Sequence, residues 1–434
     1  MNEISIIGTG LAGSEAALWL AGRGWQVRLF EMRPGTMTPA HETADAAELV
    51  CSNSLKSTRL DNPSGLLKEE TRLLGSRLLP LAESCAVPAG HALAVDRGLF
   101  SERVTQALEA HPNITLLRQE VVSLPRERCL LCSGPLTSDA LMRSLRNLLG
   151  GQQLYFFDAI APIVDADSID RGKVYRKDRY DKGEPDYLNC PFTKDEYNAF
   201  VDALLGGEKH QAHEFEDELF RSVKFSYYEN CSPIEELARR GRDTLRHGVM
   251  RPMGLEREGR RPYAVLQLRA ENRDETAFNL VGCQTMLRYP EQKRVFRLIP
   301  GLERAEFLRY GSIHRNSYLN SPQVLNPDLS LQAAPKVLVA GQLSGVEGYA
   351  ECIATGLLAA RIVAEGLPLL PEETMLGQLW RRLITPTGSG FQPANANFGI
   401  LPALEAGIKD RKQKREAFSR RSLEALHRYL KEFT

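Results

Sequence analysis

The stretch EISIIGTGLAGSEAALWLAGRGWQVRLFE (Glu3–Glu31) decides the fold. Ile4–Ile7 reads as a short apolar strand, Gly8-Thr9-Gly10-Leu11-Ala12-Gly13 as a turn, and Ser14–Gly22 as a helix. A second strand, Val27–Phe30, ends on Glu31. The turn has G-x-G-x-x-G spacing inside a βαβ opening, and each glycine has its own task. Gly8 permits the tight turn, Gly10 lets a pyrophosphate approach the backbone, and Gly13 lets the helix pack on the strand. The helix N-terminus offers free N–H groups and a positive dipole end to phosphates. Glu31 stands where an acidic side chain accepts hydrogen bonds from ribose hydroxyls. A glycine-rich turn alone can serve packing; strand, helix and terminal acid together predict a dinucleotide site.

The same pattern returns late in the chain. Lys336–Ala340 is an apolar strand, Gly341–Gly348 a loop, and Tyr349–Ala364 a helical pattern. Between the two units, from Tyr155 to about Ser321, the chain is rich in Tyr, Arg and charged residues, with short strand signals such as Tyr263–Leu268. The expected architecture is therefore α/β: a discontinuous Rossmann-like domain (residues 1–160 and 325–434) around an inserted α+β domain (161–324). Arg128–Leu131 reads as a further strand and Ser64–Leu79 as one helix.

Composition sets the class. The chain has 434 residues, 43% hydrophobic and 25% charged, which suits a globular protein of two or three domains. Formal net charge is zero, so a nucleic-acid partner must be argued from local patches. The start MNEISIIGTG has no secretory pattern, and no apolar run reaches the roughly 20 residues that span a bilayer. The eight cysteines are scattered, which points to reduced thiols and a cytoplasmic location.

Two thiols stand out. Cys51 lies in ELVCSNSLK, where a nearby lysine favours thiolate, the nucleophilic form; local sequence alone reads it more readily as a loop cysteine without a role. Cys231 precedes Ser232-Pro233-Ile234-Glu235, where Ser232 is expected to cap a helix with Pro233 at N1. The helix dipole there favours thiolate, whereas Glu229, Glu235 and Glu236 oppose it. Cys129 and Cys132 form a C-x-x-C inside a strand, and no second pair or histidine cluster follows at ligand spacing. They read as core residues, and no metal site is expected. Basic clusters occur at Arg239, Arg240, Arg242 and Arg246, at Arg257, Arg260 and Arg261, and at Lys409, Arg411 and Lys412 running on to Arg421. They read either as solvated faces or as a phosphate track.

Beyond these readings, the chain resembles the folate- and FAD-dependent tRNA (uracil-5-)-methyltransferase family over nearly its whole length. The resemblance rests on GTGLAGSEAA (Gly8–Ala17), ELVCSNSLKS (Glu48–Ser57), VPAGHALAVDR (Val87–Arg97) and GPLTS (Gly134–Ser138). It continues through KVYRKDRYDKGEPDYLNCP (Lys173–Pro191), ENCSPIEELARRG (Glu229–Gly241), AGQLSGVEGYAE (Ala340–Glu351) and FQPANANFGILP (Phe391–Pro402). GidA-like tRNA-modifying flavoproteins share the glycine turn but not the series. Departures are small: Cys132-Ser133, His91 and Ser232 replace residues common in relatives.

The resemblance implies methylation of C5 of the T-loop uridine of tRNA. Methylenetetrahydrofolate supplies the carbon, and FAD, reduced by NAD(P)H, supplies the electrons. It implies Cys231 as nucleophile at uracil C6 and Cys51 as general base or flavin-side partner. Gly341, Gly345 and Gly348 are then expected to let the backbone approach the flavin. Tyr349 is expected either to stack on flavin or folate or to pack at a helix start. Three rivals keep parts of this picture: the same chemistry on a ribosomal RNA uridine, a flavin oxidoreductase acting on a small molecule, and an inactive RNA-binding flavoprotein.

Overall fold

The structure, a computed structural model, describes residues 2–150, 153–179, 185–209, 232–386, 391–404 and 407–433, with the backbone only at 153–158 and 313–315. A six-stranded sheet runs in the order Ser330–Leu331, Ala334–Val339, Cys129–Leu131, Glu3–Ile7, Gln26–Glu31, Ile114–Arg118. All but the first of these strands are parallel. Glu3–Ile7 sits between Gln26–Glu31 and Cys129–Leu131, so chain order reverses there and a crevice opens at the C-terminal strand ends.

All eleven residues of the helix Leu11–Ala21 are buried. The helix lies against a second long helix, Tyr349–Glu365, and Gly356 makes this possible, because an added Cβ would overlap the Ala12 carbonyl. The late strand, loop and helix therefore complete the layer that the N-terminus begins. Cys129 and Cys132 lie in the core of this sheet; burial pushes the Cys129 thiol up to about 12 and the Cys132 thiol higher still.

The segment Ser64–Leu79 is two helices, not one. Pro63–Leu73 ends before Gly75, whose φ of +92° stops the helix, and Leu78–Ser84 starts anew. Glu15, fully buried in the first helix, accepts from the backbone N–H groups of Arg77 (2.7 Å) and Leu78 (2.8 Å) and from Ser76 Oγ (2.9 Å). The new helix start is thus capped from a distance, which local sequence does not reveal.

A second sheet, entirely antiparallel, has the order Tyr175–Arg176, Leu188–Phe192, Ala264–Ala270, Ala277–Leu280, Ile163–Asp165, Phe307–Arg309. The helices Lys194–Gly206, Ile234–Arg239 and Tyr289–Phe296 supply its cover and a separate core. The backbone pairing of Gln153–Ala159 with Ile313–Leu319 joins the two bodies. A small sheet of Ser54–Ser57, Ala92–Val95 and Ala86–Val87 extends the Cys51 segment.

Candidate active site

Four strand ends meet at a cleft of about 1000 Å³: Gly8 and Glu31 on one side, Ser133-Gly134 and Gly341 on the other. The three glycines of the first turn differ in what they face. Gly8 has φ of +99°, and an added Cβ would press on the Cys132 carbonyl. At Gly13 a Cβ would overlap the Gly8 carbonyl oxygen. At Gly10 it would meet no protein atom within 4 Å, and φ is an ordinary −64°. Protein packing therefore explains Gly8 and Gly13, but not Gly10. The space over Gly10, at the N-terminus of the helix Leu11–Ala21, fits a pyrophosphate.

Glu31 is buried at the cleft wall. Its oxygens accept from the Thr9 N–H (3.2 Å), the Thr9 hydroxyl, the Arg33 N–H (3.0 Å) and Arg33 Nε (2.9 Å). Burial alone would raise its pKa; the hydrogen bonds and charge of Arg33, with Thr9, outweigh this and hold it at about 2. Glu31 is thus a carboxylate that already fixes the glycine turn. Arg33, which the sequence reading missed, also pairs with Glu48 (3.1 Å).

Tyr349 begins its helix, lines the cleft, and directs its hydroxyl at the Cys51 loop. The hydroxyl accepts from the backbone N–H groups of Cys51 (3.0 Å) and Ser52 (3.1 Å). Burial raises the phenol well above its usual range, so it stays protonated. Beyond the two roles expected from the sequence, Tyr349 holds the thiol-bearing loop at the cleft wall. Cys51 is half-buried, with Sγ 4.0 Å from the Ala159 carbonyl oxygen. Ala47 ties the same loop to the glycine turn, its N–H donating to the Thr9 carbonyl at 2.8 Å.

The loop is gripped from the helix that starts at Arg97, from the small sheet and from the second sheet as well. Arg97 donates to the Leu49 carbonyl and pairs with Glu271 (2.9 Å). Asn53 Nδ2 donates to the carbonyls of Val95 and Ala270, both at 3.0 Å. Arg269 donates from Nε to Asn53 Oδ1 (2.7 Å) and from Nη2 to Ser52 Oγ (2.9 Å).

A family model described as "Glucose inhibited division protein A" matches residues 3–368. Proteins named methylenetetrahydrofolate--tRNA-(uracil-5-)-methyltransferase TrmFO match almost end to end. That of Geobacter sulfurreducens is 51% identical and covers 99% of both chains. That of Moorella thermoacetica is 50% identical, covering 98% of this chain and 97% of the relative. That of Bacillus subtilis is 47% identical, covering 98% of each. The chain belongs to the TrmFO family. Among solved structures, GidA of Aquifex aeolicus superposes with a TM-score of 0.68 over 98% of this chain and 73% of that one, at 15% identity. That likeness speaks for the fold alone, a Rossmann-like FAD-binding fold.

Other expected site residues of this TrmFO-family chain fall in varied places. Cys231 lies outside the described residues. The helix after it runs Ile234–Arg239, its N-cap is Pro233, and no side chain caps it. The expected Ser232 cap is therefore not formed; the Ile234 N–H donates instead to the Gln284 carbonyl (2.7 Å), because the chain arrives against a neighbouring loop. Gly341 lines the cleft as expected. Gly345 does not: with φ of +88°, it leaves room for the Phe391 ring. Gly348, with φ of +126°, faces the Glu351 carboxylate and Lys56. Both glycines thus serve the chain's own packing.

The two basic clusters also part company. Arg239 pairs with Glu236 (2.9 Å), Arg242 with Asp202, and Arg246 with Asp243 (3.5 Å) while stacking on Tyr263; Arg240 is exposed. Lys409, Arg411 and Lys412 are all exposed around the N-terminus of the helix Arg411–Phe433. Lys412 makes a loose ion pair with Glu416, one turn along that helix (3.8 Å).

Proposed function

We propose that the chain methylates C5 of the T-loop uridine of tRNA, using methylenetetrahydrofolate as carbon donor and FAD reduced by NAD(P)H as electron source. The observation that carries this reading is Tyr349, which lines the dinucleotide cleft and hydrogen-bonds the Cys51 loop. A thiol beside a flavin cleft suits carbon transfer to a pyrimidine, which needs a nucleophile and a base as well as electrons. The relatives are named for tRNA, so a ribosomal target is not favoured.

When bound, the flavin supplies the electrons that turn the folate-derived methylene carbon into a methyl group. The chain's residues hold and activate the partners. Gly10 and the helix behind it take the pyrophosphate. Uracil C5 is a poor nucleophile until a thiolate adds to C6, and we assign that addition to Cys231. We assign to Cys51 the removal of the C5 proton after carbon transfer, which lets the adduct collapse and expel the first thiolate. Lys409, Arg411 and Lys412 would take phosphates of the RNA. A tRNA substrate implies a cytoplasmic enzyme, and no helix among the described residues is long and apolar enough to cross a membrane.

Labelled methylenetetrahydrofolate should deliver its carbon to one T-loop uridine of an unmodified tRNA, located by base mapping. With 5-fluorouridine at the target, C5 carries no proton to lose, so a protein–RNA adduct should survive denaturation. It should vanish in Cys231→Ala and persist in Cys51→Ala, and both variants should lose methyl transfer while retaining FAD. The reverse pattern would exchange the two roles; an adduct in both variants would mean that neither thiol alone is the obligatory nucleophile.

A further inference from the structure

Buried arginines in this chain keep carboxylates beside them, with one exception among the described residues. Arg33 has Glu31 and Glu48, Arg361 has Glu365, and the largely buried Arg97 has Glu271. Arg269 is 7% exposed and, among the described residues, makes no ion pair. Its neighbours are neutral: Asn53 Oδ1, Ser52 Oγ and the Tyr187 hydroxyl. A charge taken out of water is costly unless an anion or several dipoles compensate it. Three neutral groups compensate it in part, and two of them belong to the segment that carries Cys51.

Position strengthens the point. Arg269 lies near the end of the strand Ala264–Ala270 of the second sheet and reaches the loop of the first body one residue from the thiol. Its planar fork has five N–H donors, of which Nε and one on Nη2 serve Asn53 and Ser52. A guanidinium is the side chain best matched to phosphate and to developing oxyanions.

We propose that Arg269 is a binding site for an anionic oxygen of the reacting nucleotide, completing its charge balance only when RNA is bound. This rests on the methyl-transfer reading above. Two oxygens of one nucleotide share that chemistry. One belongs to the phosphate flanking the target uridine. The other is uracil O4: when a thiolate adds to C6, the S–C6 bond forms, the C5–C6 π pair moves toward C4, and the negative charge passes from sulfur to O4. No proton or electron is released in that step. Arg269 then holds the charge while C5 attacks.

Two substitutions separate charge from shape. Arg269→Lys keeps the charge and loses the fork; Arg269→Gln keeps amide donors for Ser52 and Asn53 and loses the charge. Each is assayed as holoenzyme with unmodified tRNA, with flavin content, tRNA Kd and kcat measured together. Gln267→Ala is the control: it lies on the same strand and bonds Asn189 and Arg179 rather than the Cys51 loop. The proposal expects Arg269→Gln to lose on the order of 10- to 100-fold in kcat/KM, the range for a charged hydrogen bond. Arg269→Lys should retain most of the activity, and Gln267→Ala should stay near the parent. A loss in tRNA Kd assigns the phosphate; a loss in kcat at constant Kd assigns O4. Arg269→Gln as active as Arg269→Lys, both within twofold of the parent, or flavin lost from both, would make the residue structural and overturn the site. A parent that transfers no carbon to tRNA would overturn the methyl-transfer reading and the site together, whereas an active parent with indifferent variants overturns the site alone.

Discussion

The glycine turn Gly8–Gly13 and the thiol loop Leu49–Asn53 border the same cleft, but they are held in opposite ways. The turn is shaped by itself and by the strand beside it: φ at Gly8, a Gly8–Gly13 approach, and one carboxylate 22 residues on. The thiol loop is shaped from afar. Arg97 lies 48 residues from the carbonyl it holds, Arg269 is 217 from Ser52, and Tyr349 is 298 from Cys51. A site built locally depends on backbone space; a site built from distant elements depends on how those elements pack. Substitutions in the two should therefore fail differently.

The largest effect is expected in the turn. Gly10→Val should abolish flavin binding, seen as loss of the visible absorbance, while far-UV circular dichroism stays that of the parent apoprotein. The reason is that a side chain at Gly10 meets no protein atom and only fills the space over the helix N-terminus. Gly13→Val should damage the fold itself, because its Cβ would overlap the Gly8 carbonyl. A Gly10→Val protein with full flavin would mean that the pyrophosphate lies elsewhere; a well-folded Gly13→Val protein would remove the contrast between the two glycines.

In the thiol loop a smaller, more specific loss is expected. Tyr349→Phe removes the shared acceptor of the Cys51 and Ser52 N–H groups. An unsatisfied buried donor costs about 1–3 kcal/mol, so the melting temperature should fall by several degrees. Flavin should remain bound, while kcat should drop on the order of tenfold with tRNA Kd unchanged, because the thiol is mis-aimed and the RNA surface is untouched. An unchanged kcat would mean that Arg97, Asn53 and Arg269 position the loop without Tyr349. A loss of flavin in the same measure as activity would assign Tyr349 to the cofactor instead.

This division also sets how much was legible in the sequence. The βαβ opening and its late return could be read, because strand, glycine spacing and helix period are local signals. The family's motif strings placed Cys51 and Tyr349 among the important residues. They did not reveal that the Tyr349 hydroxyl meets the Cys51 backbone, since nothing local links positions 298 apart. Arg33 and Arg269 had no distinguishing signal, and Arg97 only closed the VPAGHALAVDR string: an arginine looks like any surface cation until burial shows otherwise. At Gly345 and Gly348 the sequence could not show the packing partners either. A glycine loop before a helix suggests a phosphate or ring approach, but here Phe391 and Glu351 fill those spaces. The break at Gly75 was missed because the cap of the following helix, Glu15, comes from 63 residues upstream.

The basic clusters repeat the contrast on the surface, with the smallest expected effect. Arg239, Arg242 and Arg246 have acids beside them, so each pair is close to neutral toward an approaching phosphate. Lys409, Arg411 and Lys412 crowd the positive end of a helix dipole, an arrangement that disfavours the free protein and favours a polyanion. If these three bind phosphates, replacing them with glutamine should lower the slope of log K against log salt by about 2 to 3, near 0.7–0.9 for each phosphate no longer neutralised. Replacing Arg239 and Glu236 together, which removes a pair and leaves no stray acid, should leave the slope unchanged. Flavin content and melting temperature serve as controls, since exposed side chains typically shift stability by no more than about 0.5 kcal/mol. Equal changes from both sets would show that ion pairing in the free protein does not decide which cations meet RNA. No change from either would move the phosphate-binding surface elsewhere, beginning with the exposed hairpin at Arg257, Arg260 and Arg261.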